Sequence, residues 1–176
     1  MLETIQQINF LLALGGVATT LVSLLILIDL AHDQKLKVYV AKYALMLALM
    51  ATTGASAMTL IYSEVFGLIP CGLCWLERIF LYPQVILLLV ALWYKDTLMS
   101  RYGIALSSIG FTISLYHHYI QMGGSQFIKC PAAGAGADCA KRFMFEFNFM
   151  TFPLLAAILF AFLIILYVYI LRTRNA

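Results

Sequence analysis

The chain has 176 residues, of which 64% are hydrophobic and 11% charged, and its mean hydropathy is +0.96. A water-soluble domain is nearer half apolar and a quarter charged, so the composition excludes one and indicates an integral membrane protein. The net charge of +3 is too small to suggest nucleic-acid binding, which leaves the basic residues as markers of topology.

A helix needs about 20 apolar residues to cross the hydrocarbon. The first such segment runs from about Ile8 to Ile28. It has no basic stretch before it and no clean small-x-small cleavage site after it, so it is read as a retained helix and not a signal peptide. Gly15-Gly16 on it, and the run "TTGASA" (residues 52 to 57) on the second segment, are small-residue surfaces for close helix approach. Asp29, at the end of the first segment, is expected to sit in water. The second segment spans about Tyr43 to Tyr62, and its Met46, Met50 and Met58 read as packing residues.

The stretch "PCGLCWLER" (residues 70 to 78) opens the third segment, Trp75 to Tyr94. Pro70 suits the first turn of a helix, where its missing N–H costs nothing. Cys71 and Cys74 then lie at a helix N-terminus, whose free N–H groups and partial positive charge favour a thiolate. Their spacing puts both sulfurs on one face, with Arg78 one turn beyond Cys74. A fixed cation there would stabilise a thiolate, or negative charge developing on a polar ligand. The alternatives are a structural disulfide or a metal clip, with Arg78 reaching for the interface.

The fourth segment, Tyr102 to Tyr119, carries His117 and His118 near its end. Adjacent helical residues point about 100° apart, so one of the two faces the bundle interior, and Gln121 shares the face of His117. Cys130 and Cys139 then bracket "PAAGAGAD". A bridge across so short a loop would contribute about 2–3 kcal/mol, a modest staple beside five membrane helices. An exposed, mobile bridge flanked by Lys129, Lys141 and Arg142 is better suited to thiol exchange. "RFMFEFNFMTF" reads as an interfacial segment leading into the last span, Met150 to Leu171, although its period of two also fits a short strand.

Seven basic residues (Lys35, Lys37, Lys42, Lys95, Arg101, Arg172 and Arg174) fall on one side, against Arg78, Lys129, Lys141 and Arg142 on the other. This favours N-terminus out and C-terminus in. Two crossings separate the cysteine pairs, so all four thiols share one face, outside the cytoplasm, where disulfides persist. No phosphate loop, carboxylate pair or Ser/His/Asp set is evident.

"CGLCWLER" has the C-x-L-C-x-x-E-R form of the DsbB family of bacterial disulfide-bond formation proteins, and "DCAKR" (residues 138 to 142) resembles the family's segment around its last cysteine. Pro153, and His117 with Gln121, are similar to further family features, and the short inter-cysteine loop resembles the BdbC-type members. The resemblance covers residues 43 to 171. It implies a four-helix redox domain over residues 41–176, preceded within residues 1–40 by one additional N-terminal transmembrane helix that has no counterpart in the family core.

The resemblance further implies a thiol:quinone oxidoreductase of the bacterial cytoplasmic (inner) membrane. Cys130 and Cys139 would exchange with a DsbA-like thioredoxin-fold partner, and Cys71 and Cys74 would reoxidise them. A membrane quinone, ubiquinone or menaquinone, would take two electrons near Cys74, Glu77, Arg78, His117 and Gln121. A vitamin-K-epoxide-reductase-like enzyme is a rival, but there the quinone-facing C-x-x-C follows the loop cysteines, whereas here it comes first. A metal-handling membrane protein using the Cys and His residues, and a structural subunit with two inert bridges, are the other readings.

Overall fold

The computed structural model describes residues 2–32, 37–127, 130 and 138–174. Five helices follow one another: α1 (Leu2–Ala31), α2 (Lys37–Leu60), α3 (Gly72–Tyr94), α4 (Met99–Gln121) and α5 (Phe152–Arg174). Every expected span is present, each longer than the apolar run that announced it. Four of them, α1, α2 with its terminal turn, α3 and α5, are long and apolar enough to cross a bilayer. The helix α4 matches α3 in length but carries Ser107, Ser108, Gly110, Thr112, Ser114 and His117. Packing between α3 and α5 buries Ser107, Ser114 and His117, while Thr112 is exposed and donates to Ser108 O.

The helix α5 is the axis of the bundle, in contact with α1, α2 and α4. Phe160, Leu163, Leu166 and Tyr167 on it are fully or almost fully buried. The buried stripe of α4, Gly103, Ser107, Gly110, Ser114, His117 and Gln121, is spaced alternately by four and three; Gly103 and Gly110 meet α5, and Ser107 and His117 meet α3. The small residues of this seam let the backbones approach. A Cβ on Gly110 would lie 2.5 Å from the Phe160 ring, and one on Gly103 would lie 2.5 Å from the Tyr167 ring. Gln84 of α3 closes the middle of the bundle. Its Oε1 accepts from Tyr167 Oη at 2.9 Å and from Ser107 Oγ at 3.2 Å, while its Nε2 donates to Phe80 O. A buried amide in a membrane interior is tolerated when its polar atoms are satisfied in this way.

The helix α1 lies against α5 along Asn9, Ala13, Gly16, Ser23, Ile26 and Leu30, its buried residues, and turns Leu11, Leu14, Leu21, Leu25 and Ile28 outward. It is keyed at both ends. Asn9 Oδ1 accepts from Tyr62 Oη, and its Nδ2 donates to Phe143 O at 3.3 Å. At the other end Tyr169 Oη donates to Asp29 Oδ2 at 2.7 Å. Asp29 is therefore not simply solvated, as the sequence suggests; it is the acceptor that pins α1 to α5.

The helix α2 ends in a π turn, Ile61–Val65, in which Phe66 N–H reaches Ile61 O at 3.1 Å. The wider turn leaves Tyr62 buried, pointing at α1 and edge-on to Phe152, with ring centroids 4.7 Å apart. Gly67, at a φ of 66°, then redirects the chain toward α3. The segment after Cys139 is neither helix nor regular strand. Glu146 and Met150 form a single bridge, Met144 and Met150 are buried, and Phe145, Phe147 and Phe149 are exposed.

Candidate active site

Cys71 is the N-cap of α3, in extended conformation, and its Sγ accepts from Cys74 N–H at 3.2 Å. Pro70 thus precedes the cap and does not fill the first turn expected of it. The cap still gives the Cys71 sulfur the helix N-terminus, with its free N–H groups and partial charge. Cys71 Sγ and Cys74 Sγ lie 2.7 Å apart and unbridged. Bonding them requires an approach of under about 1 Å, since a disulfide spans roughly 2.05 Å.

The next helix in the chain, α4, supplies the polar partner. His117 is fully buried and its Nε2 stands 3.5 Å from Cys71 Sγ. Its Nδ1 is 2.9 Å from Glu77 Oε1, on α3 one turn beyond Cys74. A carboxylate on Nδ1 fixes that nitrogen as the N–H donor and leaves Nε2 to accept a proton from sulfur. Gln121 Nε2 lies 3.5 Å from His117 Nε2 and donates to Lys141 O at 3.1 Å, which ties the ring to the cysteine-bearing loop. His118 points elsewhere, with Nδ1 2.8 Å from Thr151 Oγ1 at the start of α5.

The Cys71 thiol is held below the usual thiol range. The contact with the Cys74 sulfhydryl contributes most, burial opposes it, and His117 and the Cys74 N–H add to the lowering. A dithiol flanked by a histidine–carboxylate pair is the arrangement that activates a nucleophilic sulfur.

Cys130 and Cys139 are bridged, with Cα atoms 6.0 Å apart. The bridge is not exposed as expected. Cys139 is fully buried and forms one hydrophobic cluster with Cys71, Leu73 and Ile120, against which Cys74 and Cys130 also pack. The bridge packs on the helix start of α3, so both cysteine pairs occupy one packed region. Lys129 and residues 131 to 137 lie outside the described residues. Lys141 and Arg142 are exposed, stacked over Phe143 and Phe145.

Arg78, expected beside the Cys74 sulfur, is buried and directs Nη2 to Thr59 O on α2 at 2.8 Å, with its guanidinium over the Trp75 ring at 5.2 Å. Thr59 Oγ1 is in turn 2.7 Å from Tyr82 Oη. Sequence gave no sign of this partner, because a backbone carbonyl has no residue signature. Arg78, Glu77 and Cys74 line an apolar cavity of about 510 Å³ between α1, α2, α3 and α5. That volume is in the range of small-molecule sites. The two cysteines of α3 therefore divide their surroundings: Cys71 meets His117 and the loop cluster, and Cys74 meets the cavity.

Residues 41–170 match the family described as disulfide bond formation protein DsbB. The chain is similar to the SPbeta prophage-derived disulfide bond formation protein B of Bacillus subtilis (strain 168), at 40% identity over 123 residues, covering 70% of this chain and 81% of the relative. The probable disulfide formation protein C of Bacillus cereus is 39% identical over 117 residues, covering 66% of this chain and 84% of its own. The disulfide bond formation protein C of Bacillus subtilis (strain 168) is 36% identical over 118 residues, covering 67% and 82% respectively. No solved structure matches.

Proposed function

The chain belongs to the DsbB family of disulfide bond formation proteins and is a multi-pass membrane protein, and on that footing we propose that it is a thiol:quinone oxidoreductase. It takes two electrons from a reduced thioredoxin-fold oxidase of the DsbA kind and delivers them to ubiquinone or menaquinone. The observation that carries this reading is the seating of the loop bridge and the C-x-x-C pair in one buried cluster, with Cys74 also forming the wall of an apolar cavity.

The steps balance. A partner thiolate attacks the Cys130–Cys139 bridge, and the partner's second thiol resolves the mixed disulfide, leaving two loop thiols. One loop thiol attacks a closed Cys71–Cys74 bridge and the other resolves it, which returns the loop bridge and leaves Cys71 and Cys74 reduced. His117 Nε2 accepts the Cys71 proton. The Cys71 thiolate then closes onto Cys74 Sγ as the electron pair passes to the acceptor, and two protons follow. When bound, a quinone supplies a two-electron, two-proton sink.

The cavity fits such a group. A flat ring with two carbonyls and an isoprenoid tail needs apolar volume and few polar groups, and here Cys74, Glu77, Arg78, Thr59, Tyr62, Ser63 and Thr19 stand among mostly apolar walls. The basic-residue bias and the family together support the cytoplasmic (inner) membrane of a bacterium as the location, with the cysteine end outside the cytoplasm. On this reading residues 1–40 supply an additional helix and a cytoplasmic link ahead of a redox domain over 41–176.

A second reading rests on one observation. Cys71 Sγ, Cys74 Sγ and the His117 ring nitrogen lie within 4.8 Å of one another and would suit a soft ion such as zinc or copper. Stoichiometric metal in the purified, reduced protein would favour it.

The relay is tested by the double variant Cys74→Ser/Cys130→Ser, which leaves one sulfur from each pair. Peptide mass spectrometry of membranes is expected to recover a Cys71–Cys139 bridge. Two free thiols under oxidising conditions would rule out direct exchange between the pairs.

A further inference from the structure

The family match begins at residue 41 and leaves α1 unexplained, yet one face of α1 is a wall of the cavity at Cys74. Leu11, Leu12, Gly15, Gly16 and Thr19 all line it. The two adjacent glycines do different work. A Cβ on Gly16 would run into the Leu155 side chain, so Gly16 serves the contact with α5. A Cβ on Gly15 would meet nothing within 4 Å, and the same is true of Gly54 on α2, which also lines the cavity. Two helices therefore present bare backbone to the same space.

Depth separates the polar end of this space from the glycine end. Asn9, Tyr62 and Phe143 are bonded to one another at the cysteine end. Gly15 lies six residues further along α1, about 9 Å deeper at 1.5 Å per residue. Gly54 lies five residues before Thr59, about 7 Å below the carbonyl that holds Arg78. Cys74, Glu77 and Arg78 thus stand at the head of the cavity, and the glycines at its apolar foot.

We infer that α1 is a working wall of the acceptor site, and that Gly15 sets its selectivity by keeping open the room that a quinone's isoprenoid tail occupies below the ring. This rests on the quinone reading above and adds to it the residue that decides which acceptors fit. Gly15 is exposed where it lines the cavity, with open space at its Cβ position, and the hydrogen bonds of Asn9 and Asp29 hold in place the helix that carries it.

The test uses the full-length protein in detergent micelles, with ubiquinone-2 as the tailed acceptor and menadione as a tailless one. Gly15→Ala and Gly15→Leu both raise helix propensity, so the helix itself is not weakened. Binding is read as the rise in Tm on adding each quinone, and turnover as KM with dithiothreitol as electron donor. Gly15→Leu is expected to raise KM for ubiquinone-2 by about tenfold or more and to remove its Tm shift, with Gly15→Ala intermediate and the values for menadione unchanged. Unaltered ubiquinone-2 binding and KM in both variants, with wild type active, would overturn the role of α1. Equal losses for both acceptors would overturn the tail assignment. A wild-type protein that neither binds nor reduces either quinone would instead overturn the acceptor reading beneath it.

Discussion

At the scale of single residues, the chemistry turns on one sulfur. Cys71 combines the helix cap, the Cys74 sulfhydryl 2.7 Å away and His117 held by Glu77, and these outweigh a burial that alone would favour the neutral thiol. Its thiolate form is retained at pH values at which an ordinary thiol is already protonated. In fully reduced protein, thiolate absorbance near 240 nm is expected to persist into mildly acidic solution. It should disappear as pH falls through the depressed pKa of Cys71. His117→Ala removes one of the lowering contacts, so the midpoint moves up toward the ordinary range; an unmoved midpoint would show that His117 does not act on this sulfur. The cysteines and Glu77-Arg78 were legible as a motif, and His117 as a candidate. The pairing of Glu77 with His117, 40 positions apart, was not, because it depends on how α3 and α4 are rotated against each other.

At the scale of elements, that rotation is set by the small-residue seam of α4. Gly103 and Gly110 meet α5, and continuing the spacing of the buried stripe through Ser107 and Ser114 buries His117 and Gln121 and leaves His118 half-buried, on Thr151. The choice between the two histidines was therefore encoded, but in the glycines and serines of the preceding turns and not beside the histidines. Gly110→Val tests the seam. The new Cβ would overlap the Phe160 ring, and forcing such a contact costs about 1–3 kcal/mol. A lower Tm in detergent is expected, with weakened His117-dependent chemistry because α4 must shift or rotate. An unchanged Tm would mean that α4 and α5 are less closely apposed than described. The five helices were legible from apolar runs alone, four of them long and apolar enough to cross a bilayer. The π turn that aims Tyr62 at Asn9 carries no comparable signal, because it depends on contacts that α1 makes from far away in the chain.

At the scale of the whole molecule, five helices bring four cysteines to one end, and one of them, Cys74, forms part of the wall of an apolar cavity. Parity of crossings made the shared end predictable. The burial of the loop bridge was not, since a Gly- and Ala-rich linker suggests exposure while its cysteines are drawn down by Leu73 and Ile120. The two cysteine pairs pack in one cluster, as the proposed relay requires, and α1 lines the cavity at Cys74.

The central claim is that thiol electrons leave through this bundle to a lipid-soluble acceptor. Its most direct measurement is anaerobic mixing of the purified protein with an excess of a reduced thioredoxin-fold oxidase and ubiquinone-2, following thiols and quinol together. One quinol is expected for each pair of thiols lost, over many turnovers, with both signals abolished by Cys→Ser at any of the four positions. Thiol loss that stops after the protein's own bridges are consumed, with no quinol formed, would contradict the account.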